Sequence, residues 1–505
     1  MSTFQRSRSA GRPKIDFRLI AGILGAFTFF MGFALLIPIP VSIYFAEETV
    51  YSFAISSAFA FVLGGLIYFI FKPKDEIRPR EAFFIVSVTW IVLSVFGSAP
   101  FLVSGVVDDF ADAFFETISG LTTTGATIFG GVSHDNRINP NIEDLPKSIV
   151  FWRSILHWIG GMGFIVLSIA ILPFLGLGTT NLLHSESSIL ESDKLTPRVQ
   201  ETAKLLWGVY LILTLAHFVL LWLHPKMDWF EAINHAMSTM ATGGFSTKDS
   251  SILWFDSAYI DWVIILFMFL AGISFAMHFR LLRGETKLFL NNRETRFYSF
   301  IVVLASFLIS TILIFQTDYT IPEVIRHGTF QALSIITTTG YVTNDYGAWP
   351  SLALIILIAL FFTGGCAGST SGGIKMFRHM ILIRAVGREI RQSVHPKAVI
   401  PLRVGNVIVE PPMVRRILSF FMLYVLLFLG GAVILTWLGS DPVSALSASI
   451  ASLGNIGPAL GEFGPTNNYA GLSAVGKWAL SLLMIIGRLE LFTVLVLFSV
   501  PYWKE

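Results

Sequence analysis

Long apolar runs alternate with short polar segments along the whole chain. A helix rises 1.5 Å per residue, so crossing a hydrocarbon core of about 30 Å takes roughly 20 mainly apolar residues. Ten runs approach or exceed that length, near 17–44, 49–71, 82–106, 149–175, 205–223, 259–282, 297–315, 352–374, 417–438 and 472–501. The pattern predicts an all-α polytopic membrane protein. The first run follows a basic start, but it is too long for a signal peptide and lacks a small-residue cleavage site, which marks it as a retained span.

The polar segments alternate in charge. Arg6, Arg8, Arg12, Lys14 and Arg18 open the chain, residues 72–80 and 280–296 are basic, and a long basic stretch runs from Lys375 through Arg378, Arg384, Arg388, Arg391, Lys397, Arg403, Arg415 and Arg416. Short cytoplasmic loops collect Lys and Arg, so both termini are expected inside. The loops between them carry Asp108, Asp109, Asp112 and Glu116, then Asp228 and Glu231, then Asp318 and Glu323, then Asp441 and Glu462. These are expected outside, either drawing cations or forming a plain solvated face.

Composition narrows the class. Of 505 residues only 13% are charged and 54% are hydrophobic, which excludes a set of soluble domains. A net charge of +2 supplies no basic field for nucleic acid, and the single Cys366 excludes a disulfide framework or a cysteine-ligated metal cluster.

Four of the outside segments share a plan: an acidic start, about three helical turns of semi-apolar chain, then a Thr/Gly turn. The turns read Thr123-Thr124-Gly125, Ala241-Thr242-Gly243, Thr338-Thr339-Gly340 and the degenerate Asn455-Ile456-Gly457. Three turns cannot cross a bilayer, so each segment is expected to enter, turn and leave as extended chain. Backbone groups at membrane depth are tolerated only when buried in protein or lining an aqueous path. Around one axis, four such turns would direct carbonyls at a dehydrated cation, with Thr hydroxyls adding oxygens and Gly supplying the dihedrals. One turn alone reads equally well as a polar connection. Four in the same topological position argue for a shared cavity.

The eighth run is interrupted by Gly364, Gly365, Gly368, Ser369, Ser371, Gly372 and Gly373, ending at Lys375. That density favours a broken helix over a helix-packing patch, which needs only one small residue per turn. Arg488 lies within the last run, where insertion costs about 2.5–3.5 kcal/mol. Glu490, two residues on, does not face it on a helix, so Arg488 is expected to meet an aqueous path or backbone carbonyls. Arg153 is expected to snorkel to the end of its span, and His157 to hydrogen-bond a neighbouring helix. Enzymatic readings fail, because Gly368 to Lys375 lacks the Gly-Lys-Ser/Thr of a phosphate loop and no Gly-x-Ser-x-Gly elbow occurs. A secondary transporter would show two inverted copies rather than four in one orientation.

On these turns, the glycine-rich interruption and Gly487-Arg488-Leu489-Glu490, the whole chain resembles the Trk-type membrane subunit of the Trk/Ktr/HKT superfamily of potassium transporters. The resemblance implies four M1–pore helix–M2 units around one pore, at 81–200, 201–296, 297–412 and 413–505, preceded by a two-helix unit at 1–80. It implies K+ as the transported ion, held at the twelve turn residues, with no organic cofactor. It also implies an intramembrane gate formed by Gly364, Gly365, Gly368, Ser369, Ser371, Gly372, Gly373, Lys375 and Arg488. The implied setting is a homodimer in the bacterial cytoplasmic (inner) membrane. Its implied partner is a peripheral, cytoplasmic, NAD- or ATP-responsive nucleotide-binding TrkA-like regulatory subunit. In that family glycine rather than serine in the turns goes with potassium over sodium; the fourth turn departs from the Thr-Thr-Gly pattern. Gated permeation and Na+- or H+-coupled symport through such a pore are both compatible with these residues.

Overall fold

The computed structural model describes residues 15–72, 77–171, 199–405 and 407–504. Arg6, Arg8, Arg12 and Lys14, and the end of the fourth apolar run at 172–175, lie outside the described residues.

Helix α1 (Phe17–Leu36) starts at Asp16, whose carboxylate accepts from Arg18 N and Leu19 N at 2.8 and 3.2 Å. A short α2 (Ile39–Tyr44) leads into α3 (Thr49–Phe71), which lies backbone to backbone with α1. A Cβ at Gly64 would stand 2.5 Å from Phe29 N, so the close approach depends on that glycine.

Four consecutive helical units follow, of three, four, four and three helices. The first holds α4 (Pro79–Val103), α5 (Phe110–Leu121) and α6 (Lys147–Ile171). The second holds α7 (Val199–Trp222), α8 (Trp229–Met240), α9 (Ala258–Ala271) and α10 (Phe275–Leu282). After α11 (Thr286–Asn291), the third holds α12 (Arg293–Gln316), α13 (Ile321–Ile336), α14 (Ser351–Leu360) and α15 (Met376–Val394). A two-stranded hairpin, β1 (Arg403–Val404) with β2 (Val407–Ile408), precedes the fourth unit. That unit holds α16 (Pro411–Trp437), α17 (Pro442–Gly454) and α18 (Ala474–Arg488), and α19 (Phe492–Leu495) and α20 (Val500–Lys504) end the chain.

The short helices α5, α8, α13 and α17 sit at the centre. Each packs between the helices before and after it, and α6 also meets α8, α9 meets α13 and α18 meets α5, so the last unit closes on the first. In α5 every residue after Phe110 is buried. The long helices instead expose large apolar side chains such as Phe30, Phe69, Phe307 and Trp437, a surface suited to hydrocarbon.

Beyond the turn between α1 and α2, three apolar runs among the described residues are interrupted. The run at 259–282 breaks after Ala271 with a 100° bend, and the last breaks after Arg488 with a 110° bend. The run at 352–374 is helical only to Leu360, and much of the basic stretch expected as a cytoplasmic loop is α15. The breaks have partners. Gly272 O accepts from Cys366 N at 2.8 Å, and Phe275 N donates to Gly368 O at 3.0 Å, so the backbone freed in one broken span is satisfied by the other.

Candidate functional site

The four central helices end in one way. A residue at or just after each C-cap takes positive φ: Thr123 (53°), Thr242 (55°), Thr338 (58°) and Asn455 (56°). The next N–H returns to a carbonyl in the last helical turn, as Thr124 N to Ser119 O, Gly243 N to Ser238 O, Thr339 N to Ser334 O and Ile456 N to Ala451 O, all at 2.8–2.9 Å. A left-handed residue commonly ends a helix this way, but it is usually Gly or sometimes Asn. Three β-branched threonines in that region each carry strain of about 1–3 kcal/mol, the kind of cost that clusters at functional sites. Two residues beyond each comes a glycine at positive φ: Gly125 (80°), Gly244 (79°), Gly340 (79°) and Gly457 (93°).

This fixes the register of the second turn one residue later than its sequence suggests. Gly244, not Gly243, matches Gly125, Gly340 and Gly457, and Thr242 matches Thr123 rather than Thr124. Ala241 falls back to the helix cap. The spacing from the residue before each helix carries the signal: Asp109 to Gly125, Asp228 to Gly244 and Asp441 to Gly457 are equal steps along the chain.

The turns lean on one another in a closed ring. A Cβ at Gly125 would stand 2.0 Å from Gly243 O, one at Gly244 2.0 Å from Thr339 O, one at Gly340 2.1 Å from Ile456 O, and one at Gly457 2.4 Å from Thr124 O. A side chain at any of the four would force the facing carbonyl to shift. Asn455 Nδ2 donates to Thr124 Oγ1 and Met484 O, both at 3.0 Å, while its Oδ1 and Thr123 Oγ1 are buried without a hydrogen-bond partner.

Polar side chains brace the ring from behind. Tyr341 Oη donates to Phe245 O, Tyr346 Oη to Ala459 O and Tyr469 Oη to Gly457 O, at 3.2, 3.0 and 2.8 Å. Arg153 does not snorkel: it is 1% exposed and paired with the fully buried Glu116, Nε to Oε1 2.7 Å. Asp112 is likewise buried against Lys477. Two carboxylates that read as part of an outside acidic face are therefore neutralised inside the protein, each by a cation from an apolar span. His157 bonds Ser238 Oγ on α8 at 2.8 Å, as expected for a histidine in a membrane helix.

Residues 361–375 leave α14 as irregular chain that contacts the second, third and fourth units. Thr370 Oγ1 donates to Met240 O at 2.9 Å, and Gly372 N to Thr338 Oγ1 at 2.7 Å, so the loop touches the turns directly. Arg488 donates to Thr370 O at 2.7 Å and Gly160 O at 3.3 Å. It thus meets backbone carbonyls, and Glu490 pairs with Arg378 at 2.5 Å. Lys375 Nζ donates to Ser371 O. Gly364 and Gly365 stand too close to Gly372 O and Ser371 Oγ for a Cβ, and Gly368 and Gly373 take positive φ. Sequence reasoning missed Glu294, whose Oε1 accepts from Ala367 N and Phe377 N at 2.7 and 3.1 Å and ties the middle of the glycine-rich stretch to the first turn of α15.

Residues 50–504 match the family described as TrkH, cation transport protein. The chain is 38% identical over 496 residues to the Trk system potassium uptake protein TrkH of Halomonas elongata, covering 97% of this chain and 100% of that one. It is 33% identical to the Trk system potassium uptake protein TrkG of Escherichia coli K12, covering 97% and 99%. A crystal structure of the potassium transporter TrkH from Vibrio parahaemolyticus superposes with a TM-score of 0.88 at 36% identity, covering 97% of this chain and all of that one.

Proposed function

The chain belongs to the TrkH family of cation transport proteins, a family of transporters rather than enzymes, and from that premise we propose that it carries potassium into the cell across a bacterial cytoplasmic membrane. The relatives are named potassium uptake proteins. In this reading Thr123, Thr124 and Gly125, Thr242 to Gly244, Thr338 to Gly340, and Asn455 to Gly457 form one selectivity filter with K+ as its substrate. The observation that carries it is the closed ring in which each filter glycine abuts a carbonyl of the next turn. Such a ring needs four chain segments at one axis, and it sets rigid oxygens where a dehydrated cation requires them. Thr123 Oγ1 and Asn455 Oδ1, buried in these turns, gain a partner when a cation binds.

The irregular segment 361–375 is the gate on this path, and the fixed charge of Arg488 beside Thr370 adds a barrier to cations. The protein works as a homodimer with both termini inside. The basic cytoplasmic segment from Arg378 to Arg416 receives a TrkA-like nucleotide-binding subunit that moves the gate.

The test is cation flux into proteoliposomes of the purified protein, comparing K+, Rb+ and Na+. Gly125→Ser and Gly244→Ser are expected to lower the K+-over-Na+ preference about tenfold or more, equivalent to ~1.4 kcal/mol of discrimination. Unchanged preference in both variants overturns the filter assignment. A strict need for a Na+ or H+ gradient would replace gated permeation with symport.

A further inference from the structure

We propose that the buried Glu116–Arg153 pair is the positioning element that sets the separation of the first and second turns, and through it the preference for potassium. The proposal rests on the filter reading above.

Glu116 lies on α5 and Arg153 on α6, and both are withdrawn from solvent. A buried ion pair is seldom a net source of stability, because desolvation offsets its attraction. What this pair supplies is geometry. The Glu116 carboxylate accepts from Ile128 N and from Thr127 Oγ1, each at 3.0 Å, which fixes the chain leaving Gly125. The guanidinium reaches the same exit through Nη2 to Thr127 Oγ1 at 3.2 Å, and the exit of the neighbouring turn through Nη1 to Ser246 O at 3.2 Å. Thr127 and Ser246 each lie two residues beyond their filter glycine, so one planar fork spans equivalent points of two turns. A lysine point charge cannot hold both.

Phe245, immediately after Gly244, completes the brace. Arg153 Cζ stands 4.1 Å from its ring centroid, and the His157 ring stacks on it at 4.1 Å with 14° between planes. His157 is in turn tied to Ser238, and its ring fills the space over Gly243. Both turn exits are thus indexed to α6 through rigid, planar groups. The exit of the fourth turn is braced by a neutral group instead, Tyr346 Oη on Ala459 O, and Tyr341 Oη on Phe245 O adds a neutral contact at the second. Whether discrimination comes from cavity size or from carbonyl field strength, it depends on how far apart the turns are held.

The test is the K+-over-Na+ flux ratio per folded protein in proteoliposomes. Removing one partner would strand a buried charge, so Glu116→Gln/Arg153→Met removes both charges together and is expected to fold. Its ratio is expected to fall about tenfold, while a merely structural role would change protein yield and leave the ratio alone. Arg153→Lys keeps the charge and loses the fork; it is expected to show the same fall, and it decides the matter if the double variant does not survive purification. A ratio within about twofold of wild type in the folded variant overturns the proposal. Gly125→Ser and Gly244→Ser run alongside: if they shift the ratio and the pair variants do not, this inference alone fails, and if none shifts it, the filter reading fails.

Discussion

Gly243 illustrates how one residue is fixed by a neighbour rather than by its own backbone. The equivalent positions in the other turns are Thr124, Thr339 and Ile456, and Gly243 does not need positive φ. A Cβ there would lie 2.3 Å from His157 Nδ1, and that ring cannot swing away without leaving Phe245 and Ser238. Gly243→Ala is therefore expected to destabilise the protein by about 1–3 kcal/mol, the usual cost of overpacking. It should show as a lower thermal midpoint in detergent, and His157→Ala in the same chain should recover part of it. A single variant as stable as wild type would contradict the packing account. Asp249, in the outer loop after the second turn, is governed by charge instead. Burial first, and then the Glu143 carboxylate beside it, push its carboxyl up to about 6 from an ordinary 3.8. A raised carboxyl binds its proton more tightly when folded, so its stabilising contribution is present below about pH 4 and is lost as pH rises through about 6. Asp249 Oδ1 also accepts from Ile142 N at 3.0 Å, a bond that Asn can keep. Asp249→Asn should therefore exceed wild type in thermal midpoint at pH 7.5 and converge with it near pH 4.5. An equal offset at both pH values would rule this out.

At the scale of elements, the four short helices were legible because each has a start, a length and a turn that recur. The second register was misread because Gly243 and Gly244 both offer themselves, and a Thr-Gly match favours the first. The equal step from the aspartate before the helix in the first, second and fourth units resolves it, since the left-handed Thr242 and the ring contact at Gly244 both depend on helix length. The breaks in α9–α10 and α18–α19 left no comparable trace. Gly272-Ile273-Ser274 is ordinary in a membrane helix, and it opens only because Cys366 N and Gly368 O, from another unit, take over its hydrogen bonds. Arg153 with Glu116, and Lys477 with Asp112, were hidden for a related reason. Each partner lies on a different segment, and charge counting assigned the carboxylates to a loop and the cations to spans. Topology from Lys and Arg sorts segments between the two sides of a membrane, but it cannot find a pair formed inside the protein.

At the scale of the molecule, the irregular segment 361–375 is where the units meet. It is tied to the second unit through Met240 and Gly272, to the third through Thr338, and to the fourth through Arg488, which also reaches the first at Gly160 O. A loop with so many anchors is displaced only if some release together, and Glu294 is the anchor shared by its middle, at Ala367, and the start of α15, at Phe377. Removing that acceptor leaves Ala367 N and Phe377 N without it, at a cost of about 1–3 kcal/mol for each buried donor left unsatisfied, so the held conformation loses ground to any that solvates them. Glu294→Ala is expected to raise K+ flux several-fold in the absence of any partner subunit. Glu294→Gln, which keeps an oxygen in place, should stay near wild type. Proteoliposome flux normalised to folded protein separates the outcomes: lower flux in the alanine variant, or equal behaviour of the two, would mean that Glu294 supports the path rather than holding it shut. The alanine effect should also be additive with that of Glu116→Gln/Arg153→Met on ion preference, because the pair acts on the turn exits and Glu294 on the loop beneath. Strong coupling between them would show that gate and filter move as one body, through the Gly372 N to Thr338 Oγ1 bond that joins them.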